Sequence, residues 1–282
     1  MKMAWRLITL SLFFFYAIPT FPEEKGLSVF VWREKWRNWD FINFGDELAH
    51  IIVERIVHTT VKLNHKKPIH QEKRLFSVGS VLSFALDDDV IWGTGINGRL
   101  LDKKYYKFTR LDVRAVRGPL TRQFLKNELQ IDCPEIYGDP ALLFPILYPE
   151  FQKQKNPSLE YLIIPHFSEE FYFPKTEFPN VVYSTEPWDT VIRKILDSKF
   201  VISSSLHGVI VAESFGIPAR LLRITDNEPM FKYHDYYLGT GRPHFQAAYS
   251  IEQALQMGGE PSIQCDLTKL LNAFPLEFWE NR

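Results

Sequence analysis

The chain is poor in cysteine. Its 282 residues include only Cys133 and Cys265. That excludes a disulfide framework and a cysteine-built metal cluster, and leaves room for one disulfide at most. An excess of either charge is missing too. Lys and Arg number 33 against 34 Asp and Glu, for a net charge of -1, whereas a nucleic-acid binder normally shows a basic surface. No H-E-x-x-H, Walker A loop or G-x-S-x-G elbow occurs, so no metal site is indicated and no cofactor is called for. Repeats and low-complexity tracts are absent as well. Long apolar runs are missing, apart from residues 7–18, which follow Lys2 and Arg6. A basic start before a short apolar run is the pattern of a secretory signal. The run is shorter than the roughly 20 residues of a membrane span, and residues 17–22 offer no clean small-x-small cleavage site. Residues 1–25 are therefore set apart as a signal-like or anchor segment. Export, or membrane association through residues 1–22, is what that segment implies.

What is present is organised around residues 199–220. Phe200, Val201 and Ile202 form a short apolar, β-branched run, as expected of a strand buried on both faces. Ser203, Ser204 and Ser205 place hydroxyls where a helix begins, so they are expected to satisfy its free N–H groups. Residues 206–215 are apolar nearly all round and read as a buried helix. Gly216 stops it, Pro218 prevents its resumption, and residues 219–224 read as the next strand. The turn of this βαβ unit presents Ser204, Ser205, His207 and Gly208. Ligands of parallel sheets sit at such carboxyl ends, and anions sit on helix N-termini.

Similar turns precede it. Residues 27–32 read as a first strand. Leu48, Ile51, Ile52 and Ile56 recur at helical spacing, which predicts a helix over about 46–58. Asn43 and Asp46 then lie at its start, with Asp46 as its N-cap or both residues as contacts to a ligand's polar groups. Residues 75–78 and 90–92 read as strands. The second runs into Gly93-Thr-Gly95-Ile-Asn-Gly98, a close-approach loop but no dinucleotide fingerprint. Residues 111–116 read as a strand followed by Arg117-Gly-Pro119, with Pro119 where a first helical residue belongs. Arg117 thus sits where a guanidinium can clamp a carboxylate or phosphate. Asp139 precedes Pro140 in a turn and can cap the segment after it.

Residues 148–158 are rich in Pro, Gln, Lys and Asn and read as a linker. Beyond them, residues 161–164 are a strand ending at His166, and residues 181–183 are another. A helix opens at Pro187 with Trp188, Ile192, Ile195 and Leu196 on one face. Residues 226–242 are polar and aromatic and suited to line a cleft. Residues 251–257 and 267–279 read as helices. The expected organisation is an N-terminal α/β domain over 26–150 and a C-terminal α/β domain over 158–282. The fold class is α/β, with two Rossmann-like halves facing a central cleft.

Several of these pieces recur together in a known family. Asn43-x-Gly-Asp46, Gly79-Ser-Val-Leu82, Ile91-Trp-Gly-Thr-Gly95, Val116-Arg-Gly-Pro-Leu-Thr121, Tyr137-Gly-Asp-Pro-Ala-Leu-Leu143 and the block over 203–218 resemble the polysaccharide pyruvyl transferase family. The resemblance covers about residues 28–245. Its most specific part is Ser-x-x-Leu-His-Gly followed by Gly-Ile-Pro. It implies a fold like the GT-B glycosyltransferases. It also implies transfer of a pyruvyl group from phosphoenolpyruvate to two hydroxyls of a sugar, closing a cyclic ketal. On that reading the partners are phosphoenolpyruvate and a saccharide acceptor, lipid-linked if the N-terminal segment is an anchor, and not nucleic acid. His207 is expected as proton donor or phosphate ligand, Arg117 as anion clamp and His166 as a second acid or base. Asn43, Asp46, Gly95, Asp139, Ser204, Ser205 and Gly208 are expected to contact substrate. Some relatives have Arg directly before Leu-His-Gly, where this chain has Ser205. Phosphoenolpyruvate is a cytoplasmic metabolite, which favours the cytoplasmic membrane face. A nucleotide-sugar glycosyltransferase, or an exported relative without donor chemistry, are the alternatives.

Overall fold

The computed structural model describes residues 26–36, 39–41, 43–65 and 72–280. The signal-like segment lies outside the described residues. The first half runs β1 (Ser28–Phe30), β2 (Glu34–Trp36), β3 (Trp39–Phe41), α1 (Phe44–Val57), β4 (Leu63–Asn64), β5 (Arg74–Phe76), β6 (Val90–Trp92), β7 (Asp112–Ala115), α2 (Pro119–Glu128) and α3 (Phe144–Leu147). The second half runs β8 (Leu162–Ile164), α4 (Trp188–Leu196), β9 (Val201–Ser203), α5 (Leu206–Ser214), β10 (Ala219–Leu221), α6 (Phe231–Gly239), α7 (Ile251–Met257) and α8 (Leu267–Asn272).

Two parallel sheets result, so the fold is mixed α/β. One has the order β4-β1-β5-β6-β7 and the other β10-β9-β8, while β2 and β3 form an antiparallel pair. Helices cover both faces of parallel strands, which explains why strands such as Val90-Ile91-Trp92 are apolar at every position and fully buried. One hydrophobic core joins the sheets. It passes from Val29 and Leu75 through Leu48 of α1, Leu142 and Phe144 to Val209 of α5 and Val201. Both α1 and α5 pack on the short turn over Pro140–Leu143. The two helices that carry the candidate residues are therefore held against one shared support.

Some elements differ from the sequence-based expectation. Residues 181–183 form no strand, only an isolated bridge from Val181 to Ile163, because the backbone leaves the sheet there and Ser184 O accepts from Phe44 N. The terminal helix stops at Asn272, and Pro275 separates it from a one-turn 3-10 helix over Leu276–Phe278. The strand expected over 219–224 ends at Leu221. The polar and aromatic stretch over 226–242 contains α6, which buries Tyr233, Tyr236 and Tyr237 on its inner side.

Candidate active site

A cleft of about 400 Å3 opens where the strands of both sheets end. Most segments lining it follow the carboxyl end of a parallel strand. Trp32 comes after β1, Ser80 after β5, Asn97 and Arg99 after β6, His166 after β8, His207 after β9, and Glu228 and Lys232 after β10. Asn43 and Asp46 join them from the start of α1. This is where the winding of a parallel sheet leaves a crevice.

Asn43 caps α1, accepting from Gly45 N–H at 2.9 Å. Helix α1 begins at Phe44, so Asp46 lies in its first turn rather than at the cap. Its carboxyl is pushed up from 3.8 to about 7, by burial first, with Asp139 adding and Lys232 opposing. Gly45 leaves space for His207, since a Cβ there would lie 2.0 Å from His207 Nδ1.

The serines before α5 act differently from the expected caps. Ser205 is the N-cap but makes no side-chain cap bond. Ser203 Oγ lies 2.7 Å from Ile164 O and 2.8 Å from Ser205 O. Ser204 Oγ accepts from His166 N–H at 2.9 Å. The hydroxyls of Ser203 and Ser204 tie the end of β9 to the end of β8 and the turn after it instead of closing the helix. Gly208 is needed by that tie, since its Cβ would lie 2.3 Å from Ser203 Oγ.

His207 exposes 12% of its side chain to the cleft. Burial, with the charges of Arg117 and Lys232, drops its pKa to about 3, so the ring is neutral near pH 7. Its Nε2 lies 3.9 Å from Asp139 Oδ2, and neither atom has a hydrogen-bond partner. Asp139 is fully buried. Its Oδ1 accepts from Ala141 N–H at 3.0 Å. Burial raises its pKa to about 6, against the pull of that bond and of Arg117. His166 is neutral as well, lowered to about 4 by burial and then Lys232. Its Nδ1 lies 2.8 Å from Ser168 Oγ.

Among the described residues, the cations lining the cleft are Lys232 and Arg99. Lys232 is 5% exposed and ion-paired with Glu228. Arg99 reaches the same carboxylate at 2.6 Å. Burial works to raise the Glu228 pKa, but Lys232, His166 and Arg99 outweigh it and hold it at about 2. Arg117 stands behind the wall and does not line the cleft. Its guanidinium is fully buried. It donates to Ser80 Oγ at 2.5 Å and to Ile96 O at 2.7 Å, and its Nε lies 3.3 Å from Asp235 Oδ2. Gly95 makes room for it, as a Cβ there would lie 2.5 Å from the guanidinium carbon.

The structure thus gathers Asn43, Asp46, His166, Ser205 and His207 on the cleft and keeps Gly95, Arg117, Asp139, Ser204 and Gly208 in the layer beneath. Sequence reasoning missed Lys232, Glu228 and Arg99. The i, i+4 spacing of Glu228 and Lys232 was the available signal.

A family model described as polysaccharide pyruvyl transferase matches residues 39–226. The chain belongs to that family, and it is a transferase. It is 29% identical to the uncharacterized protein L143 of Acanthamoeba polyphaga mimivirus, over 69% of this chain and 70% of that one. It is also 29% identical to the succinoglycan biosynthesis protein ExoV of Rhizobium meliloti (strain 1021). That match covers 69% of this chain and 60% of ExoV's length. An uncharacterized protein of Klebsiella pneumoniae subsp. pneumoniae NTUH-K2044, with a solved structure, aligns at a TM-score of 0.44 and 14% identity, over 78% of this chain and 93% of that one.

Proposed function

We propose that the transferase moves a pyruvyl group from phosphoenolpyruvate onto two hydroxyls of a saccharide, closing a cyclic ketal and releasing phosphate. The carrying observation is that one cleft combines cations, two neutral imidazoles and a carboxyl that titrates near neutrality. The donor carries a phosphate and a carboxylate, and Lys232, Arg99 and the N-terminus of α5 suit those charges. In the reaction C3 of the donor gains one proton, and the two acceptor hydroxyls lose one each. The C2–phosphate bond breaks as two C2–O bonds form. The proton left over departs with phosphate or to solvent. Asp46 is protonated about half the time near pH 7 and serves as the acid at C3. His207 and His166 are free bases and take the hydroxyl protons. Trp32 and Phe167, with ring centres 6.0 Å apart at the cleft, suit the apolar face of a sugar.

The same reading treats residues 26–150 and 158–282 as two units facing across the cleft in the GT-B manner, each with one parallel sheet. Residues 1–22 would tether the chain at a membrane. Among the described residues, no helix is long and apolar enough to cross one.

The test is phosphate release from phosphoenolpyruvate by the full chain, with a panel of galactosyl and mannosyl acceptors. Acceptor-dependent release that falls about 10²–10⁴-fold in His207→Ala is the expected result. Binding of nucleotide sugars without any binding of phosphoenolpyruvate would sink the proposal.

A further inference from the structure

Asp139 is a buried carboxylate without an adequate structural reason to be one. Its Oδ1 caps the turn over Pro140–Leu143, a task that Asn or Ser performs as well. Its Oδ2 has no hydrogen-bond partner, although leaving such an atom buried and unpaired costs about 1–3 kcal/mol or more. Facing it at 3.9 Å is His207 Nε2, also buried and also without a partner. Two unsatisfied groups of complementary chemistry therefore point at each other across a gap about 1 Å too long for a hydrogen bond. Hydrogen bonds of catalytic groups are often long before substrate binds and tighten afterwards.

The surroundings leave little freedom. The carboxylate is pinned by Ala141 N–H at 3.0 Å. The imidazole is held on its other side by Gly45, whose Cα approaches Nδ1 closely enough that no Cβ would fit. Arg117, a buried cation whose charge acts on both groups, is engaged with Ser80, Ile96 and Asp235.

We propose that Asp139 is the positioning residue of His207. Its carboxylate accepts from Nε2–H, fixes that tautomer and leaves the Nδ1 lone pair for a hydroxyl proton of the acceptor. When Nδ1 takes that proton, the carboxylate stabilises the imidazolium. The O–H bond of the hydroxyl breaks as the Nδ1–H bond forms, and Asp139 itself gains nothing. The same division of labour between carboxylate and imidazole operates in Ser-His-Asp sites, where changing the carboxylate to an amide drops kcat about 10⁴-fold through the wrong tautomer. This inference rests on the reading of His207 as a base.

The test reads the tautomer directly, by 15N chemical shifts of His207 in the ligand-free full chain. The expected wild-type state is protonated Nε2 and unprotonated Nδ1. In Asp139→Asn the amide donates to Nε2, so the proton moves to Nδ1, while the cap on Ala141 is retained. With phosphoenolpyruvate and a working acceptor, kcat of that variant falls by about 10²-fold or more and the KM for donor is unchanged. A wild-type Nδ1–H tautomer overturns the proposal, and that result needs no variant to fold. A variant that keeps Nε2–H overturns it too. Because the tautomer is read without substrate, the outcome is separable from whether phosphoenolpyruvate is the donor.

Discussion

Replacing Asp46 by Asn should make the protein more stable above neutral pH and less active. The carboxyl rises from 3.8 to about 7 in the folded chain, chiefly through burial. At about 1.4 kcal/mol per pKa unit, that rise corresponds to a ceiling of about 4 kcal/mol. The folded chain holds a proton that the unfolded chain releases near pH 4. Stability therefore falls as pH rises from about 4 to about 7, and the penalty is complete above that window. Two effects reduce the gain from Asn. Asp46 is only partly buried at the cleft wall, so water screens some of the penalty. Its charge also sits in the first turn of α1, where the helix dipole favours an anion by about 0.3–1 kcal/mol. Burial wins over the dipole, and the expected net gain for Asp46→Asn is about 2 kcal/mol at pH 8, with little difference at pH 4. Urea unfolding of both proteins at the two pH values measures it. Equal offsets at pH 4 and 8, or a variant less stable at pH 8, would refute the reasoning. The activity of Asp46→Asn should drop together with its rise in stability, as happens where a site holds a group in an unfavourable state.

Gly45→Ala should behave against helix propensity. Ala normally gains about 0.5–1 kcal/mol inside a helix. Here its Cβ would lie 2.0 Å from His207 Nδ1, and overpacking costs about 1–3 kcal/mol, so a modest loss of melting temperature and a disproportionate loss of turnover are expected. A fully active variant would show that the ring does not depend on that space. Lys232→Met should weaken binding of phosphoenolpyruvate at least about tenfold by calorimetry, since a charged hydrogen bond is worth about 1.5–3 kcal/mol, and it leaves Glu228 with Arg99. Unchanged affinity would remove Lys232 from the donor site.

The most legible part of the chain was the β9–α5–β10 unit. Val201-Ile202, the apolar helix from Leu206, Gly216 and Pro218 each speak through neighbours a few residues away, and the strand, helix and stop fall close to where those signals put them. The turn that carries His207 was legible for the same reason, as was Pro119 at the start of α2, whereas the cap of α1 fell to Asn43 rather than to Asp46. The uses of Ser203 and Ser204 were not, because the partners of their hydroxyls, Ile164 at the end of β8 and His166 just after it, lie 39 and 38 residues earlier. Residue types and local spacing thus determined the α/β class, most of the helices and which turns carry polar groups, but not the short strands β2, β3 and β4. Only the tertiary structure decided that Arg117 lies behind the wall, paired with Asp235, while Lys232 stands at the cleft. It alone decided that Asp46 titrates near 7 and that Asp139 faces His207. Burial and facing partners are sums over distant segments that the sheets bring together, and no local pattern contains them.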